Sequence, residues 1–164
     1  MTKILTGKAH KYGNNINTDI ISPPQYMELS VAEAAKYSMS AVDPNFASSV
    51  RKGDFFVAGA NLGSGSSREL APLTLKYLGI SAVIAKFFAR IFYRNAINIG
   101  LVALECPESD KISTGDELEI QVEKGVIINK TRNETYQCTP LPPHILDLVE
   151  KGGLVPYLKD ELGL

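Results

Sequence analysis

The sequence is poor in the residues that build metal centres and disulfide frameworks. It contains two cysteines, Cys106 and Cys138, two histidines and no tryptophan. An iron–sulfur cluster is usually held by about four cysteine thiolates, so this chain alone does not supply the ligands for one. A disulfide between the two cysteines is conceivable, but we expect reduced thiols in a cytoplasmic protein.

Long apolar runs and an excess of one charge are also lacking. No segment approaches the length of a membrane span, and the formal net charge is −1, which argues against a membrane protein and against nucleic-acid binding. Residues 1–6 lack the apolar run of a secretory signal, so we expect a cytoplasmic location. The length of 164 residues and the absence of any linker predict one domain over residues 1–164.

The order of apolar segments predicts an α/β fold with a mixed sheet. Residues 55–58, 80–85 and 101–106 have the pattern of buried strands, and residues 70–78 and 87–98 between them have helical spacing. Such alternation predicts parallel strands joined by helical crossovers. A strand over 4–10 and a helix over 31–39 are predicted before this region. An antiparallel meander and two terminal helices follow it, over residues 117–123, 126–128, 134–138, 141–150 and 154–162.

A glycine-rich turn stands at the centre of this pattern, between the strand at 55–58 and the helix at 70–78. Gly59, Gly63 and Gly65 permit conformations that a Cβ would forbid. The segment 66–69 fits a capping box, with Arg68 in the first helical turn. A helix N-terminus of this kind can bind a small anion, although a simple capped turn would show the same spacing.

Two familiar phosphate-binding motifs do not fit this turn. The Walker loop requires a lysine, and none occurs between Gly59 and Leu75. The dinucleotide fingerprint requires a third glycine where Arg68 stands. An arginine beside the hydroxyls of Ser66 and Ser67 suits a carboxylate instead.

Other polar residues carry a weaker signal. Asp19 stands between apolar residues before a proline pair, either in an Asx-type turn or as a carboxylate at the edge of a pocket. Arg90 and Arg94 are expected to be solvated, and His10 and His144 to be surface or capping residues.

Three motifs together resemble the small subunits of 3-isopropylmalate dehydratase, which correspond to the swivelling domain of the aconitase superfamily. They are NTDIISP at 17–23, GSGSSRE at 63–69 and ARIFYRNAINIG at 89–100. Their order and spacing extend the resemblance over nearly the whole chain. It implies a three-layer β/β/α swivelling domain with a partly parallel sheet. It also implies a large subunit that carries a [4Fe-4S] cluster, with the active site formed between the two chains.

The resemblance implies a role for each matching residue. Ser66 falls on the serine that removes the carbon-bound proton, and Asp19 on an active-site aspartate. Ser67 and Arg68 match positions that hold a substrate carboxylate. The implied reaction is reversible elimination and addition of water on an alkylmalate, in leucine biosynthesis for isopropylmalate. No metal ligand is expected on this chain.

The segment that resembles the family's substrate-specificity loop is formed by Gln25, Tyr26, Met27, Glu28 and Leu29. Homoaconitase-like relatives place an arginine where Glu28 stands, so Glu28 would repel an additional substrate carboxylate. Met27 and Leu29 suit an alkyl group.

Departures from the family pattern leave two other activities open. The family commonly has Arg at Gln25, Phe at Leu62 and His at Leu70, and these changes would fit a paralogue that acts on 2,3-dimethylmalate. A non-catalytic carboxylate-binding module is the alternative of a different class. A phosphate-binding enzyme is disfavoured by the missing lysine. The isolated chain could also self-associate through surface meant for its partner.

Overall fold

A single seven-stranded mixed sheet organises this computed structural model, which describes residues 3–66 and 68–164. The order across the sheet is β4-β3-β2-β1-β5-β6-β7. The strands are β1 (Ile4–Lys11), β2 (Phe55–Val57), β3 (Ala82–Ala85), β4 (Val102–Glu105), β5 (Glu117–Gln121), β6 (Val126–Asn129) and β7 (Glu134–Gln137).

Short helices connect and cover these strands. They are α1 (Thr18–Ile21), α2 (Val31–Ala35), α3 (Phe46–Ser49), α4 (Leu70–Leu78), α5 (Arg90–Asn98), α6 (Pro143–Glu150) and α7 (Leu154–Glu161). Within residues 3–66 and 68–164, no helix combines the length and the apolar character needed to cross a membrane.

The sheet has a parallel half and an antiparallel half that share β1. Strands β1 to β4 pair in parallel, with Ala9 opposite Phe55. Strands β1, β5, β6 and β7 pair antiparallel, with Leu5 opposite Ile120. Both halves follow the predicted pattern, because buried apolar strands need helices on their faces whereas hairpin-connected strands do not.

The sheet bends so that its two edges meet. The Thr139 amide, after β7, donates to the Glu105 carbonyl of β4 at 2.9 Å. Cys106 and Cys138 flank this contact, and both are free, buried thiols as expected. The Cys106 thiol, together with burial, raises the pKa of Cys138, so this thiol stays protonated and unreactive.

Two helix boundaries differ from the prediction by three or more residues. Helix α5 begins at Arg90 rather than at 87, because Phe88 forms a parallel bridge with Leu62 and keeps the preceding backbone extended. Helix α2 ends at Ala35 rather than at 39, and the turns that follow it bring Met39 to a φ of +63°.

The predicted surface position of His10 is wrong. Its side chain is 11% exposed, and its Nε2 lies 2.8 Å from Asp54 Oδ2. The reason is local: Ile4, Thr6 and Lys8 on the same face of β1 are exposed, but the ring of Phe46 packs edge-on against His10 and Asp54 lies beside it. His144 is exposed, as expected.

Candidate active site

The candidate site lies where the loops after β1 and β2 leave the carboxyl end of the parallel strands. The two loops run side by side and continue the pairing of β1 with β2 through backbone hydrogen bonds. These are Gly59 N to Gly13 O at 3.0 Å, Asn15 N to Ala60 O at 2.8 Å, Gly63 N to Ile16 O at 2.7 Å and Thr18 N to Ser64 O at 2.9 Å. The carboxyl edge of parallel strands is the usual place for a ligand site in α/β proteins.

The loop after β2 is also fixed on its other side by the segment that precedes α5. The Leu62 amide donates to the Phe87 carbonyl at 3.2 Å, and the Ala89 amide donates to the Leu62 carbonyl at 2.9 Å. Gly63 has a φ of +90°, and a Cβ there would lie 2.2 Å from Cγ of Phe92. Glycine is therefore required at 63 both by conformation and by contact.

The predicted capping box is not formed. Helix α4 begins at Leu70, its N-cap is Glu69, and no side chain caps it. The chain turns tightly before the helix instead, with the Arg68 amide donating to the Ser66 carbonyl at 2.9 Å. Arg68 thus precedes the helix and is not part of its first turn.

Asp19 lies on the one-turn helix α1, and its side chain is not the one that forms the turn. The turn is capped by Asn17, whose Oδ1 accepts from the Ile20 amide at 2.8 Å. The Asp19 carboxylate remains available, and its Oδ1 lies 3.0 Å from Nη1 of Arg68. The structure therefore brings together two of the residues that sequence analysis singled out separately.

The Arg68 guanidinium is only partly satisfied by this contact. Its side chain is 22% exposed, and Nη1 is buried without an aligned hydrogen-bond partner among the described residues. The contact with Asp19 is thus an ion pair rather than a directed hydrogen bond. Because Nη1 faces Asp19, the partly exposed remainder of the guanidinium is what can bind an anion such as a carboxylate.

Ser66 is exposed beside this pair. Its carbonyl accepts from Oγ1 of Thr18 at 3.1 Å as well as from the Arg68 amide. Its side chain makes no hydrogen bond to the part of the chain that the structure describes. Ser67, predicted to bind substrate, lies outside the described residues.

The predicted specificity loop begins three residues after α1. Gln25, Met27, Glu28 and Leu29 are exposed. Tyr26 ends a 3-10 turn and stacks on Tyr37, with ring centroids 3.9 Å apart and ring planes 9° apart. Within the described residues, none of the five loop side chains forms a hydrogen bond or ion pair with Ser66, Asp19 or Arg68.

The site is an open surface on this chain. Two cavities of about 390 and 380 Å³ lie elsewhere, and neither is lined by Ser66, Asp19 or Arg68. The described residues contain no cluster of three or more His, Cys, Asp or Glu side chains that could hold a metal ion. The arrangement offers an exposed serine, an exposed carboxylate and a partly buried guanidinium.

Two residues of the site carried no individual prediction. Asn17 orders α1, and Thr18 connects α1 to the carbonyl of Ser66. The signal for Asn17 was present, since asparagine is a preferred N-cap residue. Thr18 had no local signal, because its partner is 48 residues away along the chain.

Comparison with known proteins defines the class of this fold and site. The Aconitase C-terminal domain family matches residues 4–109. The chain belongs to that family, which confirms the predicted swivelling-domain fold.

Individual relatives define the family within this class. It is 56% identical to 3-isopropylmalate dehydratase small subunit 1 of Archaeoglobus fulgidus, over 93% of this chain and 96% of the relative. Identity to the small subunit from Methanosarcina mazei is 51%, over 94% of this chain and 96% of that protein. A crystal structure of 3-isopropylmalate dehydratase from Methanocaldococcus jannaschii superposes with a TM-score of 0.93 at 44% identity, over 98% of this chain and 96% of that chain. Within the aconitase class, the chain is a member of the 3-isopropylmalate dehydratase small-subunit family.

Proposed function

We propose that this chain is the small subunit of a two-subunit hydro-lyase that isomerises 2- and 3-isopropylmalate by removing and re-adding water. The observation that carries the proposal is the surface formed by Ser66, Asp19 and Arg68, because it offers a carboxylate-binding group and a proton-accepting group. The names of the similar proteins specify the same reaction.

Each side chain has one role in the proposal. Arg68, with Ser67, binds a carboxylate of the substrate through the part of its guanidinium that is not paired with Asp19. Asp19 holds the guanidinium of Arg68 towards the site by their 3.0 Å ion pair. Ser66 removes the carbon-bound proton and later returns it in the reverse direction.

A magnitude argument explains why a second subunit is needed. A serine hydroxyl titrates many units above neutral pH, and each unit corresponds to about 1.4 kcal/mol. A helix terminus contributes at most ~2 kcal/mol, and Ser66 is exposed to water and lies four residues before α4. Closure against a partner would remove that water and strengthen the field of Arg68 at Ser66. We therefore expect the isolated chain to be inactive.

The cluster expected for this reaction does not fit the donor set of this chain. A [4Fe-4S] cluster is usually held by about four thiolates, whereas Cys106 and Cys138 are the only cysteines and lie buried at the closed edges of the sheet. We assign the cluster to the large subunit, where its iron would act as the Lewis acid for the departing hydroxyl. A cytoplasmic location and a heterodimer are part of the same proposal.

The exposed loop favours an alkyl substituent on the substrate. Met27 and Leu29 are 48% and 42% exposed, so a closing partner would bury both beside the substrate. Glu28 between them would repel a third carboxylate, which disfavours homocitrate and citrate. Gln25 and Leu70, which depart from the family pattern, keep 2,3-dimethylmalate as the second candidate substrate.

The test is turnover by an anaerobically reconstituted complex of this chain with a cluster-loaded large subunit. We expect 2-isopropylmalate to have the highest kcat/KM when compared with 2,3-dimethylmalate, homocitrate and citrate. Ser66→Ala should lower kcat by about 10²–10⁴-fold, whereas Ser48→Ala, at an exposed serine far from the site, should not. A higher kcat/KM for 2,3-dimethylmalate would show that this compound, and not isopropylmalate, is the substrate.

A second result would replace the whole proposal. Tight binding of an alkylmalate by the isolated chain, together with no turnover by the complex, would indicate a non-catalytic binding module. Dehydratase activity of the isolated chain would contradict the assignment of the cluster to a partner.

A further inference from the structure

Thr18 is the residue that joins helix α1 to the loop carrying Ser66. It is 2% exposed, although it lies between the exposed Asp19 and the loop surface. Its amide donates to the Ser64 carbonyl at 2.9 Å, and its Oγ1 donates to the Ser66 carbonyl at 3.1 Å. One residue thus holds the loop at two points on either side of Gly65.

These two bonds control the position of Ser66. Gly65 has a φ of +105° and no side chain, so the backbone before Ser66 has little rigidity of its own. A Cβ at Gly65 would lie 3.2 Å from Oγ1 of Thr18, so the loop is pressed against this hydroxyl. The carbonyl and the Cα of Ser66 move together, because they belong to the same residue.

Thr18 is itself held rigidly. The Asn17 cap fixes the backbone of α1, and a β-branched side chain has few rotamers. The Thr18 carbonyl also accepts from the Ser22 amide at 2.8 Å, which closes the helical turn. The hydroxyl is therefore presented to Ser66 from a fixed support.

We propose that Thr18 is a positioning residue for Ser66, which holds the serine hydroxyl at the reacting carbon through the Oγ1 bond to the Ser66 carbonyl. The inference rests on the proposed function, in which Ser66 accepts the proton. It concerns the chemical step and not substrate affinity, because Arg68 is held separately by Asp19.

The chain contains a matched residue whose role is only structural. Thr74 is also fully buried, and its hydroxyl also donates to a backbone carbonyl, that of Ala71 at 2.8 Å. That bond lies within α4 and does not reach the loop. Thr18→Val and Thr74→Val therefore remove the same group from the same kind of environment, and Thr18→Ser keeps the donor.

The first arm of the experiment measures kcat and KM in the reconstituted complex. Thr18→Val should lower kcat by about 10- to 100-fold with little change in KM, because a small displacement of a reacting group costs rate rather than binding. Thr18→Ser should recover most of the rate, and Thr74→Val should leave it unchanged. Equal kcat values for the two valine variants, or a rise in KM alone, would overturn the proposal.

The second arm does not depend on activity. Trypsin cleaves after arginine, and cleavage after Arg68 requires the loop to detach from α1. Mass spectrometry of the full chain should show several-fold faster cleavage at this bond in Thr18→Val than in wild type, Thr18→Ser or Thr74→Val. Equal cleavage rates would overturn the proposed hold on the loop. A complex without turnover but with this cleavage pattern would refute the proposed function and leave the hold on the loop established.

Discussion

The Asp116 network of the antiparallel half and the loop after β2 in the parallel half satisfy their polar groups to different degrees. In the antiparallel half, Asp116 accepts from Asn129 Nδ2, the Ser113 amide and Arg132 Nε at 2.9, 2.9 and 3.0 Å. In the parallel half, the loop after β2 is held mainly through its backbone, and the Arg68 guanidinium keeps a buried nitrogen without an aligned acceptor in the described residues. Polar groups that satisfy one another stabilise a fold, whereas those left partly unsatisfied are available to a ligand.

The largest expected effect comes from comparing two glycines, one in each half. Gly63 and Gly115 have φ values of +90° and +93°, but only at Gly63 would a Cβ strike a neighbour. Gly115→Ala should cost about 1–2 kcal/mol from its conformation alone. Gly63→Ala should cost roughly 1–3 kcal/mol more, because Phe92 must move. Urea denaturation of both variants measures the difference, and equal losses would contradict the steric account.

Breaking the polar network of the antiparallel half should affect stability without affecting catalysis. Asp116→Ala leaves the Ser113 amide without its acceptor and leaves the buried Asn129 Nδ2 with only the Tyr136 hydroxyl. We expect the free energy of unfolding to fall by about 2–3 kcal/mol. The kcat of the folded complex should stay unchanged below its melting temperature. A parallel loss of kcat would show that the two halves are not separate in function.

The stack of Tyr26 on Tyr37 tests whether the parallel half orders its specificity loop by ring contact. Tyr37→Ala removes the stack, which is worth about 0.5–1.5 kcal/mol. We expect the preference for isopropylmalate over dimethylmalate, measured as the ratio of kcat/KM values, to fall by about two- to tenfold. Tyr77→Ala is the control, because Tyr77 is 60% exposed. Tyr37→Phe should retain the preference, and an unchanged ratio in Tyr37→Ala would contradict the role of the stack.

The smallest effect at neutral pH concerns one buried carboxylate in each half. Burial alone would raise the pKa of Asp54, but hydrogen bonds from His10 and from the amides of Arg51 and Lys8 outweigh it and lower the pKa below its usual 3.8. The pKa of Asp116 is lowered in the same way, against burial, by Asn129, the Ser113 amide and Arg132. A lowered pKa contributes stability that is present above the unfolded-state value and is lost as pH falls through the folded-state value.

The measurement is the urea midpoint as a function of pH. It should fall below about pH 4 in the wild type, and the fall should be shallower in Asp54→Asn and in Asp116→Asn. Because both halves share β1, each variant should shift one common transition. Two resolved transitions would show that the halves unfold independently.

The sequence predicted elements whose pattern is local. The helix Leu70–Leu78 has the predicted limits, because its apolar spacing ends at Gly79, which adopts a left-handed φ of +113°. The parallel and antiparallel regions also follow from apolar runs and alternation. The capping box was wrong because α4 begins at Leu70 with Glu69 as its N-cap, so Ser66 does not stand at the N-cap position.

The site was only partly predicted, for a different reason. Asp19 and Arg68 were each noted, but their ion pair depends on how the loops after β1 and β2 pair. His10 was misjudged because Phe46 and Asp54, which cover and pair with it, are distant from it in sequence. The roles of Ser66 and Arg68 came from the motif resemblance. The geometry alone indicates only a surface that could bind a carboxylate.

The central place of β1 has a consequence for synthesis on the ribosome. Ile4 pairs with Gln121, so β1 waits for more than 100 further residues to be synthesised before its second edge is covered. Until then the nascent parallel half exposes a row of unpaired backbone groups, the kind of edge that recruits other strands. Folding should therefore be slow for a chain of this size, because the pairing that completes the sheet is among the longest in sequence.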